Sequence, residues 1–412
     1  MKSFGRLGFY FIGMATLFHG VTEIIQFLLP DLNFYRTLIE DDASLLVWVV
    51  YATIANVFFC GSYIFVDKRL RRRVLCFPEV RGQGMRPDSA SFIACIFLAV
   101  LGVLVFVLNS AGIATGYLAE GLVGQFLLMT VFTAGVVVVQ SSGGRGYYFV
   151  LLMMLGFCFI IGQRSYLVAA GLSMIYSLYR LNYRVRFRAV FLMVGLVFMS
   201  TTAIIAVRSS FGREFFQGSY TDRRGAVSAG EGFGGQQSTR ASLFEDIAYR
   251  IDGNSLASLI QQRQSNGYPM MGLVSFWSNV RLAVPSFLNP GKVQLDVREI
   301  EERGYIQSYY DVDYGIDFLL PLYGGMFSYY GVFSLVAGCL LFGAFYAFLD
   351  WRLHQSATVA STFIALGALF CVVLMEQGLR VYFTNFRGLV PLALLFLVID
   401  RVSSQRTKSQ LP

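Results

Sequence analysis

Apolar runs of close to twenty residues recur along this chain, and they decide what it can fold into. A helix of about 20 apolar residues crosses the hydrocarbon core of a bilayer. Within lipid, only helices and closed barrels satisfy their own backbone groups. Ten such runs are predicted, at 8–29, 45–66, 91–110, 122–139, 147–162, 165–181, 189–207, 319–347, 358–375 and 387–399. The fifth and sixth are short and nearly touch at Gln163-Arg164. Charge content agrees: 14% of residues are charged and the mean hydropathy is +0.59, whereas soluble domains carry roughly 25% charged residues. The expected fold is an all-α polytopic integral membrane protein with about ten transmembrane helices. The first run is too long for the core of a signal peptide, and no small-residue cleavage pattern follows it, so it is expected to stay as a span.

Short-loop cations set the orientation, because Lys and Arg concentrate on the cytoplasmic side. With the N-terminus inside, that side holds Lys2, Arg6, the cluster DKRLRRRVLCFPEVRGQGMRPD from Asp67 to Asp88, Arg145, Arg180 to Arg188, Arg352 and the tail. The opposite short loops hold Arg36, Arg164, Arg380 and Arg387. The chain then divides into helices over 1–207, a large outer loop over 208–318, and helices with a cytoplasmic tail over 319–412. The outer loop carries eleven Lys and Arg residues, but long loops translocate regardless of charge. The KRLRRRV run reads as a topology anchor, since a specific lipid or nucleic-acid site would need more than charge.

None of the six cysteines falls in the outer loop, so no disulfide framework or Cys-rich metal site is expected there. Of the two histidines, His19 lies inside the first run and His354 on the cytoplasmic side. Outer-face chemistry is therefore expected to proceed without histidine as a base.

Within the loop, Arg213 to Thr239 is rich in Gly and Ser and is expected to be mobile. Ser242 and Glu245 form a capping box before Ile247 and Ile251. Asn254 or Ser255 would cap a second short helix with Leu256, Leu259 and Ile260 on one face, ended by Gly267. Two such amphipathic helices would lie on the membrane surface or over the bundle.

Ionisable residues near or in spans cost on the order of 2.5 to 3.5 kcal/mol at the bilayer centre and need a partner or a task. Arg164, Arg380 and Arg387 stand at the predicted outer face, and Arg250, Arg281 and Lys292 lie in the loop. Together these six would ring an anionic site, because a planar guanidinium binds phosphate oxygens in pairs and stays charged. Singly, Arg380 pairs equally well with Glu376 at i, i+4, and Arg164 would simply snorkel. Asp311-Val-Asp313 is a D-x-D, a pattern found in metal sites and in ordinary loops alike; no metal is assigned. Asp313 or Asp317 is the candidate general base. The tyrosines around them would stack on sugar rings or form an interfacial aromatic belt.

The segment Val284-Pro-Ser-Phe-Leu-Asn-Pro-Gly-Lys292, preceded by Arg250-Ile-Asp252-Gly253 and followed by Tyr323-Gly-Gly and Tyr330-Gly331, resembles the bacterial O-antigen and exopolysaccharide polymerases, as does Gly162-Gln-Arg164. The chain departs from many members by reading Pro285-Ser286 where they read Pro-Arg. The resemblance implies a C-type glycosyltransferase-like arrangement in the bacterial inner membrane, with both termini cytoplasmic and the active face periplasmic. It implies transfer of a growing glycan from undecaprenyl diphosphate to the next lipid-linked oligosaccharide repeat unit. Arg164, Arg281, Lys292 and Arg380 would hold the diphosphate, Arg387 would bind diphosphate or glycan, Arg250 would place the loop or donor sugar, and Asp313 or Asp317 would activate the acceptor hydroxyl. The implied partners are the lipid-linked oligosaccharide, membrane lipids and a chain-length regulator. No cofactor and no nucleic acid is called for. An O-antigen ligase shares this architecture, but its outer loop carries a functional histidine. A transporter or flippase of lipid-linked sugars would show two similar halves.

Overall fold

A computed structural model of the chain describes residues 6–28, 42–74, 89–110, 122–142, 164–180, 253–284, 320–354, 358–376 and 378–409, with isolated positions at 153, 156, 195, 199, 200 and 203. The described elements are all helical. They are α1 (Leu7–Thr16), a π turn (Leu17–Val21), α2 (Thr22–Leu28), α3 (Asp42–Val74), α4 (Ser89–Ser110), α5 (Leu122–Ser142), α6 (Arg164–Arg180), α7 (Ser255–Ser265), α8 (Gly272–Ala283), α9 (Leu322–His354), α10 (Val359–Val373) and α11 (Leu379–Ser409).

Five helical stretches are long and apolar enough to cross a membrane: Leu7–Ile24, Ala43–Arg72, Ala90–Leu108, Leu322–His354 and Val381–Ser403. Shorter apolar helices occupy Phe126–Val138, Ser165–Tyr176 and Val359–Val373. The described residues are those of an all-α membrane protein. Apart from isolated positions, the predicted spans at 147–162 and 189–207 lie outside the described residues, as do the capping box at Ser242 and the Gly-rich stretch before it.

α10 is the centre of the bundle. Apart from Ile364, its fifteen residues are buried, against α1, α5, α6 and α11. A helix that is apolar all round belongs in such a position. Its start is closed by a reciprocal Thr358–Ser361 capping box and by Asp400 of α11, which accepts the Ala360 N–H at 3.0 Å and the Ser91 hydroxyl at 2.5 Å. Asp350 of α9 does the same for α1, accepting from the Leu7 and Gly8 N–H groups at 2.8 and 3.2 Å and from the Tyr63 hydroxyl at 2.5 Å. Beside them Asp67 pairs with Arg6 at 3.2 Å and Arg71 at 2.8 Å. Asp350 and Asp400 each satisfy backbone N–H groups that a helix start leaves without partners. These contacts bring the starts of α1, α4 and α10 and the far ends of α3, α9 and α11 to one end of the bundle. Those are the segments that the short-loop cations group on one side of the membrane.

Two predicted spans differ from the structure. The last one begins eight residues early, at Leu379, so Arg380 and Arg387 both stand on α11. The run at 319–347 is not one straight rod. At Tyr330 and Gly331 the backbone leaves helical geometry, with Gly331 at φ 60° and ψ −139°. The chain doubles back there: a Cβ on Gly338 would lie 2.6 Å from Met326 Sδ, although twelve residues of straight helix would separate them by about 18 Å. Residues 322–329 form a short limb climbing away from the capped end. The longer limb then descends to Asp350.

Candidate functional site

The first span is also interrupted. At the π turn the Thr22 N–H reaches back to the Leu17 carbonyl. The Phe18 carbonyl instead accepts the Thr22 hydroxyl at 2.6 Å and the backbone N–H of Gly253 at 3.2 Å. Such π turns recur at functional sites. Here the break admits the start of α7, which comes from the long segment between the seventh and eighth predicted spans. A Cβ on residue 253 would meet the Phe18 carbonyl oxygen at 2.8 Å and His19 Cε1 at 2.9 Å, so only glycine fits.

Asn254 occupies the N-cap position of α7 but gives its side chain to the π turn and α2 rather than to its own helix. Its Oδ1 lies 3.0 Å from His19 Nδ1, and its Nδ2 donates to the His19 carbonyl at 3.1 Å, Thr22 Oγ1 at 3.3 Å and Glu23 Oε2 at 3.1 Å. The expected helix with Leu256, Leu259 and Ile260 on one face is present, ended by Gly267 at φ 87°. It is not on a surface, however: 253–260 is buried throughout, packed on α3 and α9.

His19 itself is 2% exposed. Its ring stacks on Tyr323, with centroids 4.8 Å apart and planes at 3°, and meets Trp48 edge-on at 6.0 Å. The Tyr323 hydroxyl donates to Asn56 Oδ1 at 2.6 Å. Tyr323 opens the short limb of α9, so two helix starts, of α7 and of that limb, meet around one imidazole. His19 lies twelve residues along from Leu7, about 18 Å from the capped end, inside a bilayer core about 30 Å thick.

With Nδ1 donating to Asn254 Oδ1, a neutral His19 has its lone pair on Nε2. Among the described residues nothing pairs with His19 Nε2 or with the equally buried Trp48 Nε1.

The sequence-predicted cations fall in a separate place. Arg281 lies exposed in the last turn of α8. α8 packs on α11, where Phe276 meets Phe383 edge-on at 5.9 Å. Arg387, half-buried, stands one turn beyond Phe383, and Arg380 stands one turn before it. Arg164 begins α6 at the same end, since Tyr166 stacks on Phe370 at 5.3 Å near the close of α10. The structure thus gathers the helices bearing Arg164, Arg281, Arg380 and Arg387 at the end opposite Asp350. The side chains of Arg164 and Arg380, and all of Arg250, Lys292, Asp313 and Asp317, lie outside the described residues.

Sequence reasoning gave Asn254 a capping role and Tyr323 a sugar-stacking or interfacial one, did not single out Trp48 or Asn56, and did not bring any of them to His19. Its one available signal was a histidine followed by Glu23 in an apolar run, the kind of intramembrane polarity that implies an inward-facing partner. Among the described residues no cluster fits a metal ion. No known family model, curated protein or solved structure matches the chain.

Proposed function

We propose that this protein is a polysaccharide polymerase of the bacterial inner membrane, with both termini cytoplasmic and its working face periplasmic. It transfers a growing glycan from undecaprenyl diphosphate to the next lipid-linked repeat unit. The observation that carries this reading is the docking of α8 on α11, which sets Arg281 on the same helix pair as Arg380 and Arg387 at the end away from Arg6 and Asp67. A departing lipid diphosphate gains negative charge, and preorganised cations lower that barrier. Lys292 and Arg164 extend the cationic set, Arg250 places the loop or donor sugar, and Asp313 or Asp317 takes the proton of the acceptor hydroxyl.

A second reading, a transporter of lipid-linked sugars, draws on the broken first span and the doubled-back α9. Discontinuous helices with half-helix starts near mid-membrane build substrate sites in transporters.

Deletion of the gene, with surface glycans run on a gel and lipid-linked intermediates extracted, separates the two. A polymerase leaves single repeat units on lipid, reachable by a lectin from the outer face of spheroplasts. A transporter leaves them unreachable from outside. Restoring Arg281→Ala or Arg380→Ala in the deletion strain should give normal protein level and no polymer; full-length polymer from both variants would remove the diphosphate role.

A further inference from the structure

One face of α8 packs into the bundle and the opposite face is largely exposed. Its inward face is settled: Phe276 meets Tyr329 edge-on at 5.6 Å, and buried Asn279 donates to the Tyr329 hydroxyl at 2.8 Å. On the opposite side Leu273, Val274 and Trp277 are 52%, 81% and 54% exposed, and Met270 precedes them at the same spacing. The next residue in that register is Arg281. Positions i, i+3, i+4 and i+7 form a single stripe on a helix. This stripe is apolar, then aromatic, then cationic.

The stripe does not stop at the edge of α8. The Tyr330 hydroxyl accepts the Leu273 N–H at 2.7 Å. One turn past Tyr330, Phe333 is 87% exposed, and it heads a row of exposed apolar side chains down α9 that includes Leu341, Phe345 and Phe348. α9 is one of the helices long enough to cross a membrane, so this row is its lipid-facing side. The α8 stripe is the upward continuation of that side. Tryptophan concentrates at the depth of lipid headgroups, and an arginine one turn beyond it can place its guanidinium among lipid phosphates while its methylenes stay in the apolar zone.

From this continuity we infer that α8 is seated in the outer leaflet of the bilayer. Leu273, Val274 and Trp277 contact acyl chains, and Arg281 meets phosphate at the headgroup level. α7 and α8, of similar length and separated by six residues, therefore have different solvents. α7 is enclosed by protein, and α8 is half in lipid. The inference holds whether or not the chain is an enzyme.

Trp277 is its own reporter. The full-length protein and its Trp277→Phe variant are reconstituted into vesicles of phosphatidylethanolamine and phosphatidylglycerol. Some vesicles contain lipid brominated along one acyl chain, and others are titrated with aqueous iodide. The difference in emission between the two proteins belongs to Trp277. The expected result is loss of most of that difference signal in brominated vesicles and little change with iodide. Quenching by iodide and not by bromolipid would put the face in water and overturn the inference. Protection from both would mean that protein covers it, a second copy included, and would overturn it equally. A Val274→Asp variant, which leaves the inward face of α8 untouched, should shift Trp277 toward iodide access if lipid is the partner.

Discussion

The backbone N–H of Gly253 donates to the Phe18 carbonyl at 3.2 Å, across more than half the length of the chain. Through this bond a segment predicted to lie outside the bundle becomes part of its interior. Phe18 can accept it because the π turn redirects the Thr22 N–H to Leu17, so neither backbone group is left unpaired where no water reaches.

Replacing Gly253 with alanine tests how tight this junction is. The added methyl would sit 2.8 Å from the Phe18 oxygen and 2.9 Å from His19 Cε1, with backbone on one side and a stacked ring on the other. Overpacking of this kind costs about 1–3 kcal/mol. Thermal melting of Gly253→Ala in detergent should fall by several degrees, and hydrogen exchange should rise in the π turn while the Asp350 end stays protected. Unchanged exchange at Leu17–Val21 would count against the junction.

At the other end, Asp350 holds α1 by its first two N–H groups and also takes the Tyr63 hydroxyl. Asp350→Ala leaves three buried donors without an acceptor. Each such group costs about 1–3 kcal/mol, so this variant should be among the least stable single changes in the protein. Asp350→Asn keeps one acceptor oxygen and should fall between. Stability is read from the melting midpoint of purified protein. An order in which Asn is worse than Ala would sink the capping account.

Gly331 makes the turn in α9 at φ 60° and ψ −139°, a region essentially closed to residues with a Cβ. The space beside it is open enough for a methyl group, the nearest atom being Met270 Cε at 3.8 Å. Any loss on Gly331→Ala is therefore backbone strain, about 1–3 kcal/mol. Gly338→Ala has the opposite cause, steric contact with Met326 Sδ at 2.6 Å. Adding Met326→Ala should rescue Gly338→Ala and should not rescue Gly331→Ala, as judged by melting of the double variants.

Most helices were legible because lipid imposes a length and an apolar composition on each span, and both are local properties of the sequence. The start of α7 and its apolar face were legible for the same local reason, in Asn254, Leu256, Leu259 and Ile260. The sidedness grouping of Arg6, Asp67, Arg352 and the tail followed from charge alone and agrees with the helix ends that meet around Asp350 and Asp400.

Hydropathy could not reveal that the 319–347 run turns back on itself, because both limbs of α9 are equally apolar and the reversal rests on two dihedral angles at Tyr330 and Gly331. Nor could it show which short amphipathic helix is enclosed and which is left at the edge. The sequence reading places the α7 helix on the membrane surface or over the bundle and does not predict α8, and the place of each is set by its partners: the π turn with the Phe18 carbonyl for α7, and α9 and α11 for α8. The sequence by itself determined a helical membrane protein, since solvent acts on each segment separately. Only the tertiary structure decided that His19, Asn254 and Tyr323 meet, since hydrogen bonds and ring contacts between residues 19, 254 and 323 exist only once the chain has brought those distant segments together.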